Sequence, residues 1–371
     1  MSVESAALQA SETWAVHQGD ALAFVQALPD SSVDAIVTDP PYFKIMKEAW
    51  DHAWHDRDAF LAWIDTLAEQ WARVLKPNGS LYLFASPKHA AHVEVVIGKR
   101  FNVLMSIVWD KGSAGAGNKQ AKDQMRNYWP ASERIVFAEH RGSDNSAKGE
   151  AGYLRKCDEL RGFLFEPLRA YLAGEWERAG LIARDANAAT GTQMAGHWFT
   201  HIQWALPTAK HYATLQAYAN RNGGEYLRRE YEYLRREYED LRREYEDLRR
   251  EYEDLRRPFN ITADDQFTDL WRFDTPERFE SRHVCEKPVR LLEHIIKTST
   301  KPGALVLDCF TGSGSTGHAC LNLGRRFLGV ELSEHWVDSA RRRLAAVQAG
   351  ATGDVVRQSK QPDRQLELFN V

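Results

Sequence analysis

Two separated stretches of this chain share one rhythm, and that rhythm limits the fold more than any other feature. From Trp14 to about His140, and again from Glu286 to Leu344, short apolar runs alternate with amphipathic stretches of helical spacing. Val33 to Thr38 (VDAIVT) reads as a buried strand. Ala59 to Val74 carries Phe60, Ile64, Leu67, Trp71 and Val74 at helical spacing and stops at Lys76-Pro77-Asn78-Gly79, a helix-ending signal. Ser80 to Phe84, Val103 to Trp109 and Arg134 to Ala138 read as further strands, with a helix at Ala90 to Ile97. In the second stretch, Val289 to Thr298 reads as helix, Leu305 to Asp308 as strand, Gly317 to Leu323 as helix, Arg326 to Glu331 as strand and His335 to Leu344 as helix. Strands alternating with helices point to a parallel sheet in an α/β fold, and both stretches are expected in one sheet. The Gly- and Ala-rich run Gly112 to Gly117 predicts a mobile loop.

Between them the strand pattern disappears. From Arg141 to Asn220 the chain is rich in aromatic residues at helical spacing, with one helix at Phe165 to Gly180 and another at Ala183 to Ala189. Thr190-Gly191 and the cluster His197-Trp198-Phe199 follow, and the best helix-turn-helix candidate spans Phe165 to His197. Glu230 to Arg257 is four heptads of the form E-Y-E-(D/Y)-L-R-R, with a shorter lead-in at Glu225 to Arg229. Tyr231, Tyr238, Tyr245 and Tyr252 alternate with Leu234, Leu241, Leu248 and Leu255, the a/d seam of a coiled coil. Glu232–Arg236, Glu239–Arg243 and Glu246–Arg250 are i,i+4 pairs in the favourable orientation, and Pro258 ends the helix. Three fates fit this helix: a solvated spacer, a homodimer coil, or packing along its own insert. The implied division is 12–140, a helical insert 141–275 that holds the heptad helix at 225–257, then 276–347, and a flexible tail 348–371.

Composition sets outer limits. With 371 residues, 43% hydrophobic and 27% charged, the chain is long enough for a large domain and a second module. No apolar run approaches a membrane span, and Met1 to Ser11 lacks the pattern of a signal peptide. Cys157, Cys285, Cys309 and Cys320 show no CxxC spacing, so neither a zinc site nor a disulfide framework is indicated. A cytoplasmic location is expected. The net charge of −4 means that any nucleic-acid surface must be a local patch.

Two short motifs carry chemistry. Asp308-Cys309-Phe310-Thr311-Gly312-Ser313-Gly314-Ser315-Thr316-Gly317 lies between a strand and a helix, where glycines let the backbone turn tightly beside a ligand. Gly312, Gly314 and Gly317 fit GxGxxG, so a dinucleotide site is one reading. Asp308 argues for another, since it would repel a pyrophosphate and attract a ligand ammonium. Glu331, ending the next strand, is placed to hold ribose hydroxyls. The second motif, Asp39-Pro40-Pro41-Tyr42, directly follows the strand Val33 to Thr38. Its prolines lack N–H groups and leave carbonyls free to point outward. Asp39 and the Pro40 carbonyl can together accept both hydrogens of an amino group, while Tyr42 offers a ring for a base to stack on.

These residues resemble the amino-group (N6-adenine and N4-cytosine) DNA methyltransferases. Asp39-Pro40-Pro41-Tyr42 precedes the D-x-F-x-G-S-G motif at Asp308, with the target-recognition region between them, the permuted order of that family's beta group. The resemblance extends through Gly19-Asp20-Ala21-Leu22, Asp34 to Thr38, Val74 to Gly79, Glu286-Lys287-Pro288 and Gly324 to Glu331. In the insert it is looser and points to phage and prophage members, as in Trp198-Phe199 and Gln203-Trp204-Ala205-Leu206-Pro207-Thr208. Cys309 departs from it, proline being commoner there.

The resemblance implies a Rossmann-like S-adenosylmethionine-dependent sheet. It assigns Asp39, Pro40, Pro41 and Tyr42 to catalysis. Asp308, Phe310, Gly312, Ser313 and Gly314 would lie around the methionine part of S-adenosylmethionine, Glu331 would hold its ribose, and Asp20 with Ala21 would lie near its adenine. Lys287 would reach its carboxylate. Aspartate at the first catalytic position goes with adenine in this family, so transfer to adenine N6 of double-stranded DNA, with the base flipped out, is the expectation. N4-cytosine methylation is the alternative, and an inactive interaction protein a remote one.

Overall fold

The computed structural model describes residues 12–112, 126, 128, 130–140, 152–201, 203–276 and 285–350. Met1 to Ser11, the expected loop beyond Gly112 and the expected tail beyond Gly350 lie outside them. The chain divides into two compact units, residues 1–148 with 257–371, and residues 149–256.

The first unit is built on one eight-stranded sheet. Its strands are β1 Trp14–Gln18, β2 Val33–Thr38, β3 Leu75–Ala85, β4 Phe101–Asp110, β5 Ser132–His140, β6 Leu270–Arg272, β7 Leu305–Asp308 and β8 Arg326–Glu331. The order is β1-β8-β7-β2-β3-β5-β4-β6. The two α/β stretches therefore do share a sheet: β2 pairs with β7 through Ala35–Val306 and Ile36–Leu307, and β1 pairs along β8. All neighbours are parallel except β5, which runs antiparallel to both β3 and β4. The alternation had predicted parallel pairing throughout, but antiparallel neighbours need no crossover helix between them. This is a Rossmann-like mixed α/β sheet.

Period-two alternation sends successive side chains of a strand into two different cores. Leu81 and Leu83 pack with Ile64, Leu67, Trp71 and Leu328 on one face. Tyr82 and Phe84 pack with Leu291, Ile295, Phe327 and Leu344 on the other. The helices that cover these faces include Arg57–Val74, Ala90–Ile97, Val289–Ser299, Ser315–Asn322 and Glu334–Gln348. Helix Arg57–Val74 ends where the Lys76 to Gly79 signal places its end, and the chain passes straight into β3 at Leu75. Those residues form an irregularity between the pairs Val33–Leu75 and Ala35–Ser80. A Cβ on Gly79 would lie 2.5 Å from Leu75 Cδ1 and 2.9 Å from the Asp34 carbonyl, so the bulge needs glycine.

The second unit has its own core and contains the helices Gly152–Leu164, Glu166–Arg178, Ala183–Thr190, Ala195–Phe199, Ala209–Ala219 and Tyr231–Leu255. Leu168, Leu172, Trp176, Trp198, Trp204, Tyr212 and Leu215 are buried together. Within the helix-turn-helix candidate, helix Ala183–Thr190 ends at Gly191 in the left-handed conformation (φ 66°), and the short helix Ala195–Phe199 follows. The unit stops at Arg256, so residues 257–275, expected in the insert, belong with the sheet, where β6 pairs with β4.

The heptad helix is shorter than its repeat. It begins at Tyr231, because the lead-in is held in an irregular turn. Leu227 takes φ 53°, the Asn220 side chain binds Tyr226 at both its N–H and its carbonyl, and the Leu227 N–H donates to Glu175. As far as Leu248 the seam is covered within the unit itself: Leu234 and Tyr245 are buried there, with Tyr231, Tyr238, Leu241 and Leu248 packed against the same core. Of the three fates, packing along the insert is the one observed. The homodimer loses its basis, which was an uncovered stripe. The ion pairs also fall mostly at i,i+3, as in Glu232–Arg235 (2.9 Å) and Asp247–Arg250 (3.3 Å), rather than at the expected i,i+4 positions. Among the described residues, no helix is long and apolar enough to cross a membrane.

Candidate functional site

A cavity of about 780 Å³ opens beyond the carboxyl ends of β1, β8, β7 and β2, where parallel α/β sheets place ligands. Its wall gathers Asp20, Ala21, Asp39, Pro40, Pro41, Tyr42, Lys287, Asp308, Phe310, Gly312, Ser313 and Glu331. Gly314 is not on that wall. It caps helix Ser315–Asn322 at φ 78°, and a Cβ there would lie 3.1 Å from Ala340 Cβ, so its constraint is helix packing.

Around the glycine loop, acids fix backbone. Asp308 Oδ1 accepts from the Thr38 hydroxyl at 2.9 Å and the Phe310 N–H at 3.1 Å, while Oδ2 accepts from Thr316 at 2.7 Å. Burial pushes its pKa up to about 6, against the pull of these three donors. Glu331 Oε2 accepts the Gly312 N–H at 2.9 Å and Oε1 accepts the Ser333 N–H at 3.0 Å. Asp20 Oδ1 caps the helix Ala21–Gln26 at the Ala23 N–H. Behind the loop, the buried Glu286 accepts from Ser313 Oγ at 2.8 Å and from Arg343 at 3.2 Å. Cys309, the departure from the family pattern, is buried and accepts from Trp71 Nε1 at 3.2 Å.

At the end of β2 the charges form a network. Lys287 Nζ pairs with Asp39 Oδ2 and lies 3.4 Å from Glu133 Oε2. Glu133 also pairs with Lys111 and accepts the Tyr42 hydroxyl at 2.9 Å. Burial raises the pKa of Asp39, and the Lys287 ammonium pulls it back. Burial also opposes the charge of Glu133, but Lys287 and Lys111 outweigh it and its pKa falls. Lys287 keeps its proton, since the two carboxylates more than offset its own burial. The Lys287 ammonium lies over the rings of Tyr42 (5.4 Å) and Phe84 (5.1 Å). Asp39 Oδ1 is buried with no hydrogen-bond partner among the described residues. A buried acceptor without a donor is costly, so this oxygen is set for a ligand donor.

Sequence motifs did not reveal Glu133, Lys111 or Arg343, nor the aromatic wall of Trp50, Trp54, Trp63 and Trp336. Glu133 stands 91 positions from Tyr42 on the antiparallel strand, where no local pattern marks it. Trp63 did have a signal, an aromatic residue in an amphipathic helix, and its ring packs tilted against those of Trp54 (4.5 Å) and Phe310 (5.7 Å).

Residues 33–342 match the model of a family described as DNA methylase, with N6 and N4 in its name. The chain is 25% identical over 339 residues to the DNA adenine methyltransferase YhdJ of Escherichia coli (strain K12), covering 90% of this chain and 83% of that protein. It is 42% identical over 84 residues to the type II methyltransferase M2.DpnII of Streptococcus pneumoniae, covering 22% of this chain and 31% of that one. Among solved structures, the cytosine-N4-specific PvuII DNA methyltransferase superposes with a TM-score of 0.51 at 12% identity, over 94% of this chain and 92% of that one, a likeness of fold.

Proposed function

The chain belongs to the N6/N4 DNA methylase family, and from that premise we propose that it methylates adenine N6 in double-stranded DNA with S-adenosylmethionine as methyl donor. The observation that carries the reading is Asp39, whose one oxygen is anchored on Lys287 while the other is a buried acceptor without a donor, in the same cavity as the glycine loop.

The cavity suits the donor. Its volume lies within the range of roughly 300–1,000 Å³ usual for small-molecule sites. Asp308 to Ser313, Glu331 and Asp20 supply acids and backbone, and Phe310, Trp63 and Trp336 supply apolar wall. S-adenosylmethionine brings a methyl group already activated on a sulfonium. The protein's task is to bring an amine to it in the right orientation.

Asp39 Oδ1 accepts one hydrogen of the amino group and the Pro40 carbonyl the other, which turns the nitrogen lone pair toward the donor. As methyl transfer places positive charge on that nitrogen, the Asp39 carboxylate stabilises it and is positioned to receive the departing proton. Tyr42, its hydroxyl tethered to Glu133, offers a ring to the base. N6 inside a duplex cannot reach this cavity, so the base must leave the stack. Adenine is favoured over cytosine by Asp39, since aspartate at this position goes with adenine in the family, and by the name of the Escherichia coli relative.

Mass spectrometry of nucleosides from unmethylated DNA, incubated with the protein and labelled S-adenosylmethionine, tests this directly. Label in N6-methyladenine is the expected result. Label in N4-methylcytosine would move the reading to cytosine, and label in neither would refute it. Choice of target sequence is assigned to residues 149–256, a separate unit containing the helix-turn-helix candidate. Exchanging that unit for a relative's should change the methylated sequence, and an unchanged sequence would refute the assignment.

A further inference from the structure

Directly after Tyr42 the chain closes on itself in a clamp that the chemistry above does not use. Asp51 is 0% exposed, yet it is not on the cavity wall. Its Oδ1 accepts the Tyr42 N–H at 2.7 Å, and its Oδ2 accepts the N–H groups of Ile45 at 2.6 Å and Met46 at 2.7 Å. The Lys44 N–H donates to the Asp51 carbonyl at 2.8 Å, and His52 Nε2 meets the Met46 carbonyl at 2.9 Å. To close this loop, Phe43 and Lys44 take φ values of 61° and 57°, two consecutive non-glycine residues in the left-handed region. Such strain persists only where the surroundings over-determine it, and it clusters at functional sites.

The clamp holds Met46, Glu48, Trp50, Ala53 and Trp54 on the cavity wall. Trp54 packs against the rings of Phe60 and Trp63, whereas Trp50 stays 37% exposed on the cavity wall. Tyr42, at one end of the clamp, and Trp50, at the other, thus present two rings to one cavity.

We propose that Trp50 covers the face of the target base once it has left the duplex, and that Asp51 is a positioning residue that holds Trp50 and the Tyr42 backbone in place for it. This rests on the reading of the chain as a DNA adenine methyltransferase. Stacking on an aromatic ring suits any base, so Trp50 contributes binding, and selection of the amine remains with Asp39. Asp51 acts through its carboxylate, because only two anionic oxygens can accept all three backbone N–H groups.

The test uses the full chain with unmethylated genomic DNA and tritiated S-adenosylmethionine, and compares Trp50→Ala, Trp50→Phe and Asp51→Asn. Trp50→Ala should lower kcat/KM for DNA about 10- to 100-fold, the effect of losing one base–aromatic stack. Trp50→Phe should recover most of it. Asp51→Asn should reproduce the loss, with S-adenosylmethionine affinity by calorimetry unchanged in all three. Wild-type DNA kinetics in Trp50→Ala, no recovery with phenylalanine, or a loss of S-adenosylmethionine affinity large enough to explain the defect would each overturn the proposal. Wild-type kinetics in Asp51→Asn would overturn the positioning role. If Asp51→Asn fails to fold, the two Trp50 variants decide, because Trp50 sits at the surface. A wild-type protein that methylates no DNA would instead sink the parent reading.

Discussion

Lys287 and Asp39 stand 248 positions apart and meet as an ion pair on the wall of one cavity. Asp39 leaves the end of β2 and Lys287 precedes the helix Val289–Ser299, so the pair joins the two α/β stretches at the site itself. By resemblance Lys287 would reach the donor's carboxylate. In the structure it holds one oxygen of Asp39 and leaves the other without a partner. Anchoring one oxygen orients the other, which is what acceptance of an amino hydrogen requires.

Asp39→Ala should therefore abolish methyl transfer while leaving S-adenosylmethionine affinity within a few-fold, since the proposed mechanism places the carboxylate on the amine and not on the donor. Single-turnover kinetics and calorimetry separate the two effects. Transfer at the wild-type rate would remove Asp39 from the mechanism.

The same pair sets a pH dependence. In the proposed mechanism Asp39 acts as a carboxylate, and burial raises its pKa above the ordinary value of 3.8 while Lys287 lowers it. Glu133, the other anion facing it, raises it further. The rate should fall on the acid side at a higher pH than an ordinary aspartate would dictate. Lys287→Met removes the lowering influence, so the acid limb should move to higher pH. A limb that stays in place, with the whole defect appearing in the KM for S-adenosylmethionine, would return Lys287 to the donor's carboxylate.

Asp308→Ala should weaken S-adenosylmethionine binding first. Its carboxylate joins Thr38 on β2, Thr316 on the following helix and the Phe310 N–H, and so fixes the loop that lines the cavity. Calorimetry showing unchanged affinity would count against the glycine loop as the donor site.

How much of this was legible in the sequence follows from how local each signal is. Val33–Thr38, Leu305–Asp308 and Arg326–Glu331 match the strands to the residue, because each is a short apolar run bounded by polar residues. β1, with only Val16 buried, and the three-residue β6 carry too little pattern to be read. The two motifs could be read because a strand end and a tight turn place their residues side by side. Glu133 could not, because an antiparallel strand and an ion-pair network bring it to Tyr42, and neither leaves a spacing in the sequence. The Asp51 clamp lies between these cases. It is local, but its partners are backbone N–H groups, which sequence does not distinguish.

The heptad helix shows how a clear pattern can have more than one structural outcome. A seam alternating Tyr and Leu requires an apolar partner, but says nothing about whose surface that partner is. Here Leu234 is 0% exposed within the second unit's own core, among residues that include Trp204 and Tyr212. If the seam serves folding of this unit, Leu234→Ala should cost about 2–5 kcal/mol, as for other buried leucines, by loss of apolar contact and by the cavity it leaves. The loss should appear as an earlier unfolding transition, and the sedimentation coefficient should not change. The charged faces, with ion pairs such as Glu246–Arg249 at 3.4 Å in water, should contribute far less, so Arg249→Ala should shift the transition by no more than about 0.5 kcal/mol. Equal effects from the two substitutions would mean that the helix stands by its charges alone, and the packed seam would lose its role.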